Sequence, residues 1–373
     1  MQIIEVNTKK DFERFIDFAW EIYKNDKNWV PPLKTEIKNL LDEKKNPFWE
    51  HAEKKLFLLY DNEKLVGRIA GIIDKNYIKF QNEKAGFFGF FEVFDNEKYA
   101  KILLDSVKKW LLTHQKFKDI KIMYGPINPS TNDEMGLFYD GQDGSPMLMM
   151  PYNPKYYINL LEKVGLKKAK DLYAYILDYD FVEIKKLQII KEKLAKKFLE
   201  KNVVIRTINM KKIKEEINFA LDVYNNAWDK NWGFVPWTKK EFYNIADMLK
   251  RLADPRLILF LEIARKPAGM LIVVPDYNQV LKKLNGRLNI FKFLWFKRNI
   301  NQARLMILGV KKEFRKQGFE GLLYLNAAQN VKETGFKYFE FSWILEDNVL
   351  TQRAAEMMGG KLYRKYRVYK MEF

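Results

Sequence analysis

At 373 residues, with 47% hydrophobic and 15% aromatic side chains, the chain can bury a large core, and its length suits two domains or one doubled unit. It has no cysteine, which excludes disulfides, thiolate metal sites and a cysteine nucleophile; its two histidines, His51 and His114, stand in no metal-ligand spacing, so each reads as an ordinary surface or half-buried residue and no metal is expected. The formal net charge of +18 favours anionic partners in general, but basic and acidic residues are largely interspersed, and DNA is not expected as a partner.

The opening residues, Met1-Gln2-Ile3-Ile4-Glu5-Val6, carry no basic segment leading into an apolar one, and no apolar run approaches a membrane span, so a cytoplasmic protein is expected. Residues 2–7 read as a strand and 9–23 as an amphipathic helix, followed by Asp26-Lys27-Asn28-Trp29. Residues 56–60 and 66–74 then form a hairpin pattern, and the apolar run 86–94 leads into an acidic turn, Asp95-Asn96-Glu97. Residues 124–152 are too rich in Gly, Pro and Asn to be one helix, yet Leu137, Phe138, Tyr139 and 147–150 should not lie loose in water. Such a loop is an ordered lid or part of a binding site, or else a structural loop held by its own hydrogen bonds. Residues 182–202 are lysine-rich, with Ile184, Leu187, Ile190, Leu194 and Phe198 at helical spacing, and read as a connecting helix.

The second half repeats the first. It opens with a strand over 204–209 and a helix over 211–225, then Asp229-Lys230-Asn231-Trp232 and a hairpin over 257–261 and 268–276. Gly67 and Gly269 stand 202 positions apart, as do Asp74 and Asp276, while Trp29 and Trp232 stand 203 apart. A chance tetrapeptide would not keep step with a downstream hairpin, so the pattern reads as internal duplication: one unit over 1–181, a connecting helix over 182–203 and a second unit over 204–373. Each is expected to be a mixed α/β unit with a twisted sheet flanked by helices. Within the second, residues 279–301 carry Lys282, Lys283, Arg287, Lys292, Lys297 and Arg298 with no acidic residue, interleaved with large apolar side chains. That is the makeup of a helix at a lipid surface or of a cover over an apolar chain; the plainer alternative is a helical insertion with its lysines in solvent.

The halves differ most after the fourth strand. In the second half Leu305-Met306-Ile307-Leu308 runs into VKKEFRKQGFEG over 310–321 and then an amphipathic segment. Gly318 can adopt backbone angles closed to other residues, so the N–H groups of 316–319 can turn toward one anion at a helix N-terminus, with Arg315 and Lys316 adding charge. The acidic turn at the matching place in the first half repels phosphate.

This string resembles the acyl-CoA-binding signature of the GNAT superfamily of N-acyltransferases, with Lys312 in place of its proline, Phe314 of its aromatic residue and Glu320 of its last small residue. Asn348, Glu356 and Gly359 keep the spacing of a later family pattern, but Ala355 stands where a tyrosine usually protonates the departing thiolate. The long loop resembles a segment of a bacterial family of tandem GNAT-like proteins. The resemblance implies two tandem GNAT units, with acetyl-CoA or another acyl-CoA as co-substrate on the second. Main-chain groups of Leu308 and Val310 would face the pantetheine, while Arg315, Lys316, Gln317, Gly318, Phe319 and Gly321 would hold the pyrophosphate. Glu340 or Glu346 would serve as base beside Asn348, and Asn128, Asn132, Asp133 and Glu134 of the loop would bind the acceptor. The expected activity is acyl transfer from acyl-CoA to a small amine or amino-acid-like acceptor. The alternatives are a tandem transferase drawing on aminoacyl-tRNA, which the net charge leaves open, and a non-catalytic CoA-binding protein.

Overall fold

The computed structural model describes residues 1–182 and 202–373, together with Ile189, Glu192 and Phe198. The connecting helix expected over 182–203 therefore lies almost wholly outside the described residues. The apolar runs form strands β1 (Gln2–Glu5), β2 (Ala52–Asp61), β3 (Lys64–Asp74), β4 (Ala85–Val93), β5 (Ile122–Gly125), β6 (Ile127–Asn128), β7 (Glu134–Met135), β8 (Leu137–Gly141), β9 (Lys167–Asp178), β10 (Val203–Thr207), β11 (Ile258–Ile263), β12 (Lys266–Pro275), β13 (Gln302–Val310), β14 (Tyr338–Leu345) and β15 (Lys361–Glu372). Among the described residues the α-helices are α1 (Lys9–Ile22), α2 (Lys34–Leu41), α3 (Lys75–Gln81), α4 (Glu97–Leu112), α5 (Tyr156–Lys163), α6 (Ile213–Ala227), α7 (Lys239–Leu252), α8 (Asn278–Leu284), α9 (Ile290–Lys297), α10 (Phe319–Lys332) and α11 (Val349–Met357). None is long and apolar enough to cross a membrane.

One 13-stranded mixed sheet runs β1-β2-β3-β4-β5-β15-β9-β14-β13-β12-β11-β10, with β8 paired to β15; β6 and β7 form a separate ribbon. The two halves repeat one topology. In each, three antiparallel pairings are followed by a parallel one, β4 with β5 and β13 with β14. Register confirms the equivalence: Gly67 lies between Leu59 and Val93, and Gly269 between Leu261 and Val310.

The last strands are exchanged. β9, from the first half, pairs antiparallel with β14, placing Leu177 opposite Phe339; β15, from the second, pairs antiparallel with β5, placing Tyr369 opposite Gly125. β9 and β15 then pair with each other from Lys361 and Ile176 to Lys370 and Lys167, welding both halves into one sheet. A single core cluster accordingly mixes Phe15, Leu58 and Phe87 with Val235, Leu345 and Tyr366.

A polar clamp adds to this. His51 Nδ1 lies 2.8 Å from Asp74 Oδ1 and Nε2 lies 3.1 Å from Glu241 Oε1, so the ring spans the two halves. Both carboxylates also cap helices. Asp74 accepts from Asn76 N–H at the start of α3, and Glu241 accepts from Thr238 N–H while Thr238 Oγ1 accepts from Glu241 N–H, a capping box for α7. Burial alone would lower the imidazole pKa, but the two carboxylate contacts outweigh it and raise the value to about 9.

Candidate active site

β13 and β14 stay paired only from Gln302 and Tyr338 to Leu305 and Phe341. Past that point a bulge shifts β13 against β12 between the Leu305 and Ile307 pairings, and β14 is irregular against β9 between Phe341 and Ile344. The strands part, and alternate main-chain groups of Met306 to Leu308 face a cleft instead of a neighbouring strand. Leu305 to Leu308 line one wall and Phe341 to Leu345 the other, with Tyr324 of α10 and Asn348 and Thr351 at the start of α11.

The first half splays at the same place, β4 and β5 losing their pairing after Phe87 and Tyr124, but there the chain fills its own gap. A Cβ on Gly89 would lie 2.0 Å from the Ile127 carbonyl oxygen, so only glycine admits that approach. Phe90 N–H, a donor freed by the splay, is taken by Asn128 Oδ1 at 2.6 Å.

The rest of the open cleft is aromatic. Tyr224 packs 4.9 Å from Trp228 and 5.7 Å from Phe234, and Trp232, Trp237 and Phe242 complete the wall. Asn231, Gly233, Ile245 and Arg304 add to the lining from the second half, and the loop of the first half contributes Thr131, Asn132, Asp133 and Met149. The loop is fastened across the molecule. Leu148 N–H donates to Asp276 Oδ1 at 2.8 Å, Arg304 Nη1 to the Leu148 carbonyl at 2.8 Å and Asn278 Nδ2 to the Pro146 carbonyl at 2.9 Å.

Strand order, splay and loop now stand beside the relatives. Over 379 residues the chain is 33% identical to the bacterial ceramide synthase of Caulobacter vibrioides, covering 99% of this chain and 97% of that protein. The chain belongs to the bacterial ceramide synthase family. It is also 29% identical over 374 residues to protein YghO of Escherichia coli, covering 98% of this chain and 93% of that one. No family model matches it. A tandem GNAT protein from the clavulanic acid biosynthesis pathway has a TM-score of 0.56 and 11% identity, covering 100% of this chain and 98% of that one. The fold of this ceramide synthase family member is thus that of tandem GNAT proteins.

Of the residues singled out in the sequence, the cleft gathers Leu308, Asn348, Asn132 and Asp133. Asn348 caps α11, its Oδ1 accepting from Thr351 N–H at 3.3 Å. Asn132 is engaged at both ends of its amide, donating to the Val235 carbonyl at 2.9 Å and accepting from the Tyr224 hydroxyl at 3.1 Å, so it fixes the loop. Asp133 is half-buried and accepts from Ser130 Oγ at 2.6 Å; loss of hydration pushes its carboxyl up to about 7. Glu134 is raised to about 7 by the same cause and then by the charges of Glu92 and Asp133, but it lies outside the cleft lining. Asn128 is spent on the first-half gap.

Glu340 and Glu346 are not free bases. The Glu340 side chain is fully buried and accepts from the Ser342 and Tyr363 hydroxyls, with the Arg304 guanidinium 3.9 Å away. Glu346 pairs with Lys168 at 2.5 Å and accepts from Asp171 N–H at 3.1 Å.

The turn at 312–318 places a left-handed glycine at a helix start. A short helical turn over Lys312–Phe314 leads to Lys316 at φ 60° and Gly318 at φ 95°, the N-cap of α10. The first N–H groups of α10 have no intrahelical acceptor, as at any helix start. Arg315 departs from its expected part: its guanidinium donates to the carbonyls of Val310, at 3.2 Å, and Ala227, bracing the turn against α6, while Lys316 stays exposed. Val310, Phe319 and Gly321 lie outside the cleft lining, and Phe319 belongs to the core.

Sequence reasoning missed the aromatic wall and Tyr324. Trp232 carried a signal as part of the repeated Asp-Lys-Asn-Trp, and the two copies have different roles. Trp29 stacks on Tyr23 at 4.7 Å, whereas Trp232 packs on Tyr124 and lines the cleft. Ala355 is buried in the core, and Tyr324 is a phenol on the cleft whose pKa burial raises.

Proposed function

We propose that this protein joins an acyl group from acyl-CoA to the amine of a long-chain amino alcohol, giving the amide linkage of a ceramide. The observation that carries the reading is the contrast between the halves: one splayed strand pair is filled by its own chain, the other opens on an apolar, aromatic cleft beside a glycine-bearing phosphate turn. The relative's name, ceramide synthase, supports the lipid character of the acceptor, as does a lining of leucine, isoleucine, phenylalanine and tryptophan.

In this reading the turn at 316–319 and the start of α10 take the pyrophosphate, and a main-chain N–H of the splayed β13 polarises the thioester carbonyl. Asp133 takes a proton from the acceptor ammonium. The free amine then forms the C–N bond as the C–S bond breaks. Tyr324, kept protonated by burial, gives its proton to the leaving thiolate and is restored by the proton that the attacking nitrogen sheds as the amide forms, so that CoA leaves as the thiol.

The test is mass spectrometry of the purified protein with palmitoyl-CoA and a long-chain amino alcohol. The expected products are the amide and free CoA in equal amounts. CoA binding without amide formation across a range of acyl lengths would favour a non-catalytic protein, and amide formation only with aminoacyl-tRNA would favour that donor; either defeats the proposal.

A further inference from the structure

Helix α9 is apolar on two opposite faces, and packing uses one of them. Phe293 and Phe296 turn inward onto the cluster of Tyr277, Val280 and Leu284, with the Phe293 ring stacked 5.7 Å from Tyr277. The opposite face carries Phe291, 86% exposed, Leu294, 55%, and Trp295, 68%, with Leu288 and Ile290 exposed just before it. Large apolar side chains exposed together mark a surface that is covered in use.

The surroundings identify the cover. Lys283, Arg287, Lys292, Lys297 and Arg298, on and beside the helix, are all exposed, and no acidic residue occurs in 279–301. We propose that α9 docks on an anionic lipid bilayer, with Phe291, Leu294 and Trp295 entering the interface and the surrounding cations meeting lipid phosphates. A second copy of the chain is a poor occupant, because a two-fold contact through this patch would set these cations against their own duplicates. A chain threaded from the cleft is equally poor, since none of these residues lines it.

The place of the helix in the fold gives the docking a purpose. Leu148 packs in the cluster beneath α9, and the next residue, Met149, lines the cleft. A surface-bound enzyme would thus hold its cleft within one loop segment of the bilayer. The docking itself stands whether or not the acyl-transfer reading holds, and its test needs no substrate.

The full chain is sedimented with vesicles of phosphatidylcholine alone and of phosphatidylcholine mixed with phosphatidylglycerol. We expect binding to the mixed vesicles that weakens as salt is raised, and little binding to the neutral ones. The double variant Phe291→Ser/Trp295→Ser should lower partitioning at least about tenfold, since two large apolar side chains no longer enter the interface. Lys292→Glu/Arg298→Glu should lower it too, with apolar residues intact; both variants change exposed positions and should melt with the wild type. Failure of the wild type to bind mixed vesicles overturns the proposal. So does equal binding by the apolar double variant, or a dimer in sedimentation velocity that this variant abolishes.

Discussion

Replacing His51 by Gln isolates the clamp between the halves. The folded imidazole titrates near 9 against an ordinary 6.5, and that difference of about 2.5 units corresponds to about 3.4 kcal/mol. Water reaches part of the ring, so a discounted value of about 2 kcal/mol is expected. The sign follows from linkage: a pKa raised on folding contributes in full below 6.5, and the contribution is lost as pH rises through about 9. The variant should therefore be less stable than wild type near pH 6, with the gap closing by about 2 kcal/mol as pH passes 9. Urea denaturation of both proteins across this range measures the closing gap, and the constant cost of the substitution drops out. With two histidines in the chain, ring resonances also report the titration directly. A gap independent of pH, or a His51 that titrates near 6.5, would refute the argument.

Three further outcomes test the site. Gly318→Val forces a β-branched residue to φ 95°, at a cost of about 1–3 kcal/mol, and should abolish CoA binding in calorimetry; unchanged affinity would remove the turn from the site. Asp133→Asn should lower acyl transfer about a hundredfold with CoA affinity intact, and should flatten the rise in rate that wild type shows as pH passes about 7 and the carboxyl loses its proton. An unaltered pH profile would dismiss Asp133 as the base. Arg304→Met leaves the fully buried Glu340 without its cation and should cost about 3–5 kcal/mol in chemical denaturation, whereas a loss under about 1 kcal/mol would show the pair to be dispensable.

The repeat and the glycine turn before α10 were legible because each is a local pattern. A glycine in the second strand of an apolar hairpin, or Gly318 between a strand and a helix, announces itself by its neighbours. The reach of the long loop was legible for a related reason, since Leu137, Phe138 and Met147 demanded burial that their own segment could not supply. Side-chain partners were harder. Arg315 looked like an anion ligand because sequence shows its charge and not the Val310 and Ala227 carbonyls that absorb it, and Glu340 looked available because Tyr363 and Arg304 lie far from it along the chain. His51 looked ordinary because its partners are 23 and 190 residues away. The strand exchange was illegible altogether: alternation over 362–373 marks a strand, but not which edge it will join.

That exchange bears on the order of assembly. As the chain leaves the ribosome, residues of the first half can form their own hairpins, but β5 keeps a bare edge until β15 arrives, and β9 waits for β14 and β15. The middle of the sheet is therefore made last. Domain-by-domain folding during synthesis, the usual refuge of a long chain, is closed to this one, and the unpaired edges of β5 and β9 stay exposed through most of translation. Neither half can close its sheet without a strand from the other.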